Sequence, residues 1–214
     1  MAAVGLIALG YVLGSMPWGY WLTRLFGGID IRKFGSGNPG ATNVWRTLGW
    51  RYGLPVAVLD IAKGFLAALL GRWLAGDLVA VLAGVAAMAG HWRPLFLRFG
   101  RGGKIVATTG GVGFAVAPHA TLGAVVVWWI FFLATRYVSV ASMASAISLP
   151  LLAVAFGASW PVVAFTAGGA AAIVVLHRAN IARLLAGTET RAQLRGRRKA
   201  PVPGPPTPGR EASL

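Results

Sequence analysis

Seven apolar runs set the terms on which this chain can fold. They cover residues 4–22, 53–70, 78–89, 105–118, 120–135, 138–156 and 160–176, and only Asp60 and Lys63 place a charge inside one. A bilayer offers no water to backbone N–H and C=O groups, so such segments must bond internally, as helices do. The runs predict an all-α, polytopic integral membrane protein with seven transmembrane helices. Composition agrees: 57% of the residues are hydrophobic and 12% charged, where an ordinary soluble domain carries about 25% charge.

Two runs are short. As a helix, 105–118 spans about 21 Å against a hydrocarbon core of about 30 Å, and 78–89 is shorter still. Short spans mark re-entrant or half-membrane helices whose ends can build a site below the surface. Ser15 and Pro17 predict a kink in the first helix. With an odd number of spans the termini lie on opposite sides. Placing the C-terminus in the cytoplasm puts every lysine and arginine except Arg72 and Lys63 in cytoplasmic segments. The positive-inside rule therefore predicts an N-terminus outside and a C-terminus inside. The start of the chain lacks a basic leader and does not read as a cleaved signal peptide. One transmembrane domain is expected over 1–195. The tail 196–214, rich in Pro, Gly and Arg, reads as disordered and lipid-associated.

The net charge is +15. In a soluble protein that would suggest nucleic acid. Here it reads as membrane orientation and attraction to anionic lipid, with no nucleic-acid partner. The chain has no cysteine, which excludes disulfides, thiolate nucleophiles and a thioester intermediate. Its five acidic residues are scattered, so neither a metal nor another cofactor is expected.

The polar residues gather in the predicted cytoplasmic segments. Gly-Ser-Gly-Asn-Pro-Gly-Ala-Thr-Asn at 35–43 has no long apolar side chain, and Arg32, Lys33, Arg46 and Arg51 flank it. Glycines allow close backbone approach, and successive N–H groups can converge on an anion. Ser36, Gly37, Asn38 and Arg46 are its candidate binding residues. Gly102-Gly103-Lys104 opens the short fourth helix and combines free N–H groups, helix dipole and charge. It is not a Walker A loop, because Ile105 stands where that needs Ser or Thr. His91 begins the same loop and reads as part of an interfacial segment anchored by Trp92 and Phe96. Ser139 and Ser142 share a face at the start of the sixth helix, where serine is also a favoured cap. His177 and Asn180 share a face at the end of the seventh, with Glu189 following to offset positive charge. Asp60 and Lys63, at i and i+3, read as a structural ion pair holding the helices.

Taken together, these blocks resemble a known family, the bacterial acyl-phosphate:glycerol-3-phosphate acyltransferases of the PlsY type. The motifs that carry the resemblance are GSGNPGATN at 35–43 continuing to Arg46; Gly90-His91 leading to Gly102-Gly103-Lys104 and Val106-Ala107-Thr108; and HxxNIxRLLxGTE from His177 to Glu189. The DIAKG block at 60–64 and the stretch 136–142 also fit. One departure is Ile105, where the family usually has the last glycine of GGKG. The resemblance implies a seven-helix fold in the bacterial inner membrane, with the active site on the cytoplasmic face. It implies transfer of a fatty acyl group from acyl phosphate to the 1-hydroxyl of glycerol 3-phosphate, giving lysophosphatidic acid and phosphate. By similarity, Ser36, Arg46, Lys104, Ser142, His177 and Asn180 line the pocket.

The residue inventory suits that chemistry. Acyl phosphate is a mixed anhydride with a good leaving group, so direct transfer without an acyl-enzyme is the simplest expectation. Lys104, Ser142 and His177 are the catalytic candidates, with Ser36, Gly37, Asn38, Arg46, Gly102, Gly103, Ser139 and Asn180 binding substrate. The proton acceptor is either His177 or a substrate phosphate. The HxxxxD signature of coenzyme-A-dependent enzymes is absent, since Phe96, Ala124 and Ala182 stand five residues after the three histidines. A transporter of organophosphates or anions is the competing class. The sequence leaves the oligomeric state open, with a monomer the simplest case.

Overall fold

The structure is a computed structural model and describes residues 1–192. The tail expected over 196–214 lies outside the described residues. Among those residues every regular element is helical: α1 (Ala2–Gly14), α2 (Trp18–Gly27), α3 (Ala41–Leu48), α4 (Trp50–Trp92), α5 (Val106–Val116), α6 (Pro118–Thr135), α7 (Val138–Ala155), α8 (Trp160–Leu176) and α9 (Arg178–Leu185), with 3-10 turns at Ile31–Lys33 and Leu95–Leu97.

The first predicted helix is interrupted where expected: α1 and α2 form one apolar segment, Ala2–Gly27, with a break between Gly14 and Trp18. Ser15 bonds back to the Tyr11 carbonyl at 2.8 Å, and Pro17 has no N–H with which to continue the ladder. The Met16 carbonyl, released by the break, accepts a hydrogen bond from Lys63 Nζ at 2.9 Å. The second and third predicted helices are the two arms of α4. As one straight rod its 43 residues would reach about 65 Å, twice the hydrocarbon thickness. Gly76, at φ 81 and ψ −177, breaks the helix. The arms then fold back so closely that a Cβ at Gly71 would lie 2.7 Å from the Ala80 Cα. Four helical segments are long and apolar enough to cross a membrane, or five if α8 and α9, bent by 54° at His177, count as one. The 11-residue α5 is too short to cross alone.

Small residues let these helices approach. Gly10 and Gly14 of α1 pack on the backbone of Ala83 and Ala87 in the second arm of α4, and Gly90 packs against Tyr11 and Ser15. This is the small-xxx-small packing of membrane helices, where van der Waals contact replaces the hydrophobic drive. Gly64 and Gly111 do the same between α4 and α5, meeting Thr108 and Ile61. Large side chains such as Leu66, Trp73, Leu82, Ile130, Leu133, Leu151 and Val175 face outward, as lipid contact requires.

The ion pair expected between Asp60 and Lys63 is present at 2.8 Å, with both side chains almost wholly buried. His91 departs from expectation. It lies in the last turn of α4 and is buried, with Nδ1 3.5 Å from Asp60 Oδ1. The helix continues through Gly90 because that glycine fits against α1, and this carries the imidazole inward. Removing one partner of a buried pair strands the other charge, at a cost on the order of 3–5 kcal/mol. Lys63→Met should therefore lower the thermal unfolding midpoint in detergent sharply, and adding Asp60→Asn should recover most of the loss. Equal losses in the single and double variants would assign the effect to packing instead.

Candidate active site

The glycine loop is held from within by two asparagines. Asn43 Nδ2 donates to the carbonyls of Asn38 at 2.9 Å and Phe34 at 3.0 Å, while its Oδ1 accepts from the Ser36 N–H at 3.1 Å. Asn38 Oδ1 accepts from the Gly40 N–H at 2.8 Å, and its Nδ2 donates to the Gly102 carbonyl at 3.3 Å, tying the two glycine loops together. Gly35 and Gly37, at φ 57 and 69, hold the left-handed conformation that other residues avoid.

The loop amides are therefore not the open anion nest that the sequence suggests. The N–H groups of Ser36, Gly37, Asn38 and Gly40 are all bonded inside the loop. The same holds for the second motif: the Gly102 and Gly103 N–H groups donate to the carbonyls of Trp92 and His91, each at 3.0 Å. Those two glycines serve close packing, since a Cβ on Gly103 would fall on the His91 imidazole and one on Gly102 on the His91 carbonyl.

Beside these loops lies a cavity of about 370 Å³. Ser36, Asn38, Arg46, Lys104, Ser139, Ser142, His177 and Asn180 all line it, although they come from four separate stretches of chain. Gly37, Gly102 and Gly103 do not line it. Three helices begin at its wall, α3 through Gly40, Ala41 and Thr42, α5 through Val106 and Ala107, and α7 through Val138 and Ser139. None carries an acidic residue in its first turn. First-turn amides lack intrahelical partners and the helix dipole favours negative charge there. At these helix ends, rather than at the glycine amides, the backbone offers unpaired N–H groups and the positive end of the dipole. Ala57, Ile61, Phe114 and Val125 give the same cavity an apolar wall.

Glu189 organises the cations. Its Oε1 accepts from Ser139 Oγ at 3.0 Å and Asn180 Nδ2 at 2.7 Å, and its Oε2 accepts from Arg183 Nε at 2.7 Å. Asn180 turns its Oδ1 to Lys104 Nζ. Burial pushes the Glu189 carboxyl up, but the bonds from Asn180, Arg183 and Ser139 outweigh it and hold the carboxyl below the usual range. Burial brings Lys104 down to about 8, helped by neighbouring Arg183 and opposed by Glu189. Burial, with Arg183 again contributing, also lowers Arg46. Arg46 Nη2 donates to the Thr190 carbonyl at 3.0 Å. His177 Nδ1 lies 2.8 Å from the Ile173 carbonyl. That oxygen can only accept, so Nδ1 carries a proton, and in the neutral imidazole Nε2 keeps a lone pair.

Arg183, Asp60, His91 and Trp128 also line the cavity and were not among the expected site residues. Spacing could have found Arg183, which follows Asn180 by one helical turn. Nothing in the local sequence distinguishes Trp128 from the tryptophans that face lipid.

Fold and cavity together define an integral membrane protein with a cationic, apolar-walled cavity. A family model for glycerol-3-phosphate acyltransferase matches residues 4–187. The glycerol-3-phosphate acyltransferase of Desulforudis audaxviator is 48% identical over 195 residues, covering 91% of this chain and 98% of that one. Its counterpart from a Synechococcus species is 44% identical over 191 residues, covering 89% and 92%. Crystal structures of PlsY, an integral membrane glycerol 3-phosphate acyltransferase, superpose with TM-scores of 0.87 for the glycerol 3-phosphate form and 0.84 for the lysophosphatidic acid form. Both are 42% identical and cover 90% of this chain and 96% of the other. The chain belongs to the glycerol-3-phosphate acyltransferase family.

The lowered Lys104 has a direct consequence for anion binding. The ammonium is charged below about pH 8 and neutral above it, and a bound anion favours the charged form. Sulfate keeps its own charge throughout this range and is the suitable probe. Its affinity, measured by calorimetry, should be roughly tenfold weaker at pH 9 than at pH 7, and Lys104→Arg should flatten that dependence. A pH-independent affinity in the unsubstituted protein would remove Lys104 from the anion site.

Proposed function

We propose that this protein transfers a fatty acyl group from acyl phosphate to the 1-hydroxyl of glycerol 3-phosphate, releasing lysophosphatidic acid and inorganic phosphate. This is the first acylation of phospholipid synthesis. The observation that carries the reading is one cavity in which Lys104, Arg46 and Arg183 meet an apolar wall. Both substrates bear phosphate, and one also bears a hydrocarbon chain.

In this reading Lys104 and Arg46 offset the repulsion between the two phosphates, aided by the first turns of α3 and α5. Ser36 and Asn180 hold the glycerol phosphate. The hydroxyl oxygen attacks the acyl carbonyl carbon, and its proton passes to Nε2 of His177. The bond from that carbon to the phosphate oxygen then breaks, and phosphate leaves with the electron pair. Ser142 donates to the oxyanion that forms between these events. No acyl-enzyme is required, because the donor is already activated and the enzyme's work is positioning and charge stabilisation. The cations expected on one side of the bilayer support seven crossings, an N-terminus outside and a site reached from the cytoplasm of the bacterial inner membrane.

One reconstituted assay tests the chemistry. Acyl phosphate with glycerol 3-phosphate should yield lysophosphatidic acid and phosphate, and acyl-coenzyme A should not replace the donor. Efficient transfer from the thioester would reject the proposed donor. Lys104→Ala should lose about 10²–10³ in turnover while still inserting. His177→Gln should lose turnover that excess glycerol 3-phosphate does not restore; restoration would make His177 a binding group. The cysteine-free chain also permits a topology test. A single cysteine replacing Arg51 should react with a membrane-impermeant thiol reagent only after cells are opened, and one replacing Leu74 should react in intact cells.

A further inference from the structure

Three serines of α7 line the cavity at successive turns, Ser139, Ser142 and Ser145. Their hydroxyls are not equivalent. Ser139 donates its proton to Glu189 Oε1 at 3.0 Å. Ser145 donates to the Ala124 carbonyl at 2.8 Å. Ser142 alone of the three is an acceptor: Trp128 Nε1 on α6 lies 3.3 Å from its Oγ. An indole N–H has no lone pair to offer, so the direction of this bond is fixed by chemistry.

A serine in a helix ordinarily turns its proton back to a carbonyl three or four residues earlier. Ser15 and Ser148 do so in this molecule. With one lone pair of Ser142 engaged by the indole, its O–H remains to be directed into the cavity that the residue lines, where Ser142 is buried. The indole is itself held in place: its ring stacks on Phe132 at 4.9 Å with 20° between planes and meets Trp129 edge-on at 5.1 Å.

We infer that Trp128 is a positioning residue for acyl transfer: its indole N–H fixes Ser142 as an acceptor on one side and so presents the Ser142 proton to the acyl phosphate oxygen. The inference rests on the proposed role of Ser142 as a donor to the reacting group. It requires no contact between Trp128 and the reacting atoms.

The test is a double-mutant cycle in the reconstituted assay, with unfolding midpoints measured alongside. Trp128→Phe keeps a ring to stack on Phe132 and removes the donor; Trp128→Leu removes donor and ring together. Either variant should lower kcat roughly tenfold, the size of one lost neutral hydrogen bond, with KM for glycerol 3-phosphate unchanged. Ser142→Ala should lower kcat by about 10²–10³. Adding Trp128→Phe to Ser142→Ala should then change kcat by less than about twofold, because the group through which the indole acts is gone. A further tenfold loss in the double variant, or a wild-type kcat in both Trp128 variants while Ser142→Ala is impaired, would overturn the inference and leave the role of Ser142 standing. Wild-type turnover in Ser142→Ala would remove that role and the inference with it.

Discussion

A cavity lined with cations must hold them away from bulk water, and here one carboxylate makes that possible. An unpaired charge in such a place is costly. Glu189 pairs Arg183 directly and reaches Lys104 only through the amide of Asn180. That indirect link leaves Lys104 with two further N–H groups for a ligand. The same carboxylate joins α7, through Ser139, to α9 and to the segment that follows it. The 54° bend at His177 turns α9 so that Asn180 and Arg183 meet the carboxylate. The motif from His177 to Glu189 is thus a folded unit, and its spacing follows from closing a chain on itself around one acid.

Much of this was legible in the sequence, and the limits have physical causes. Each apolar run falls on a helix, because hydrocarbon leaves the backbone little choice. The Asp60–Lys63 pair was legible from i, i+3 spacing in an apolar helix. Chemistry placed the eight polar residues of the cavity in the predicted cytoplasmic segments, but that they would line one pocket came from the resemblance of their motifs to a known family. What the motifs did not reveal was which groups were already bonded. The glycine loop looks rich in donors, yet Asn38 and Asn43 draw its amides inward. The free donors lie instead at the starts of α3, α5 and α7, which become a common site only when distant helices meet. Trp128 was invisible for the same reason: the property that matters is its partner on the next helix.

Close approach is the means by which these distant pieces meet. Lys63 donates to the Met16 carbonyl at the break between α1 and α2, pairs with Asp60, and through Asp60 faces His91. His91 in turn fills the space that a side chain at Gly103 would take. Gly102, next in that loop, accepts the hydrogen bond from Asn38. The chain of contact runs from a buried ion pair to the loop that carries Lys104 and on to the loop that carries Ser36. A charged pair in the helical core is costly in lipid, and its position under both loops gives that cost a purpose in holding the site's floor.

Ile105 sharpens the point. It caps α5 at φ 60 and ψ −6, a conformation that costs a side-chain-bearing residue roughly 1–2 kcal/mol, which explains why glycine is usual at this position in the family. Its side chain is not idle, however: it is 4% exposed and belongs to the apolar cluster around Val112, Phe165 and Ile173. Burial of a side chain of this size contributes a similar or somewhat larger amount, about 1.5–3 kcal/mol. The strain and the burial therefore offset one another at a single residue, and the backbone turn that glycine would permit is here held by an apolar anchor. Because Ile105 follows Lys104 directly, that anchor fixes the root of the cation proposed to hold phosphate.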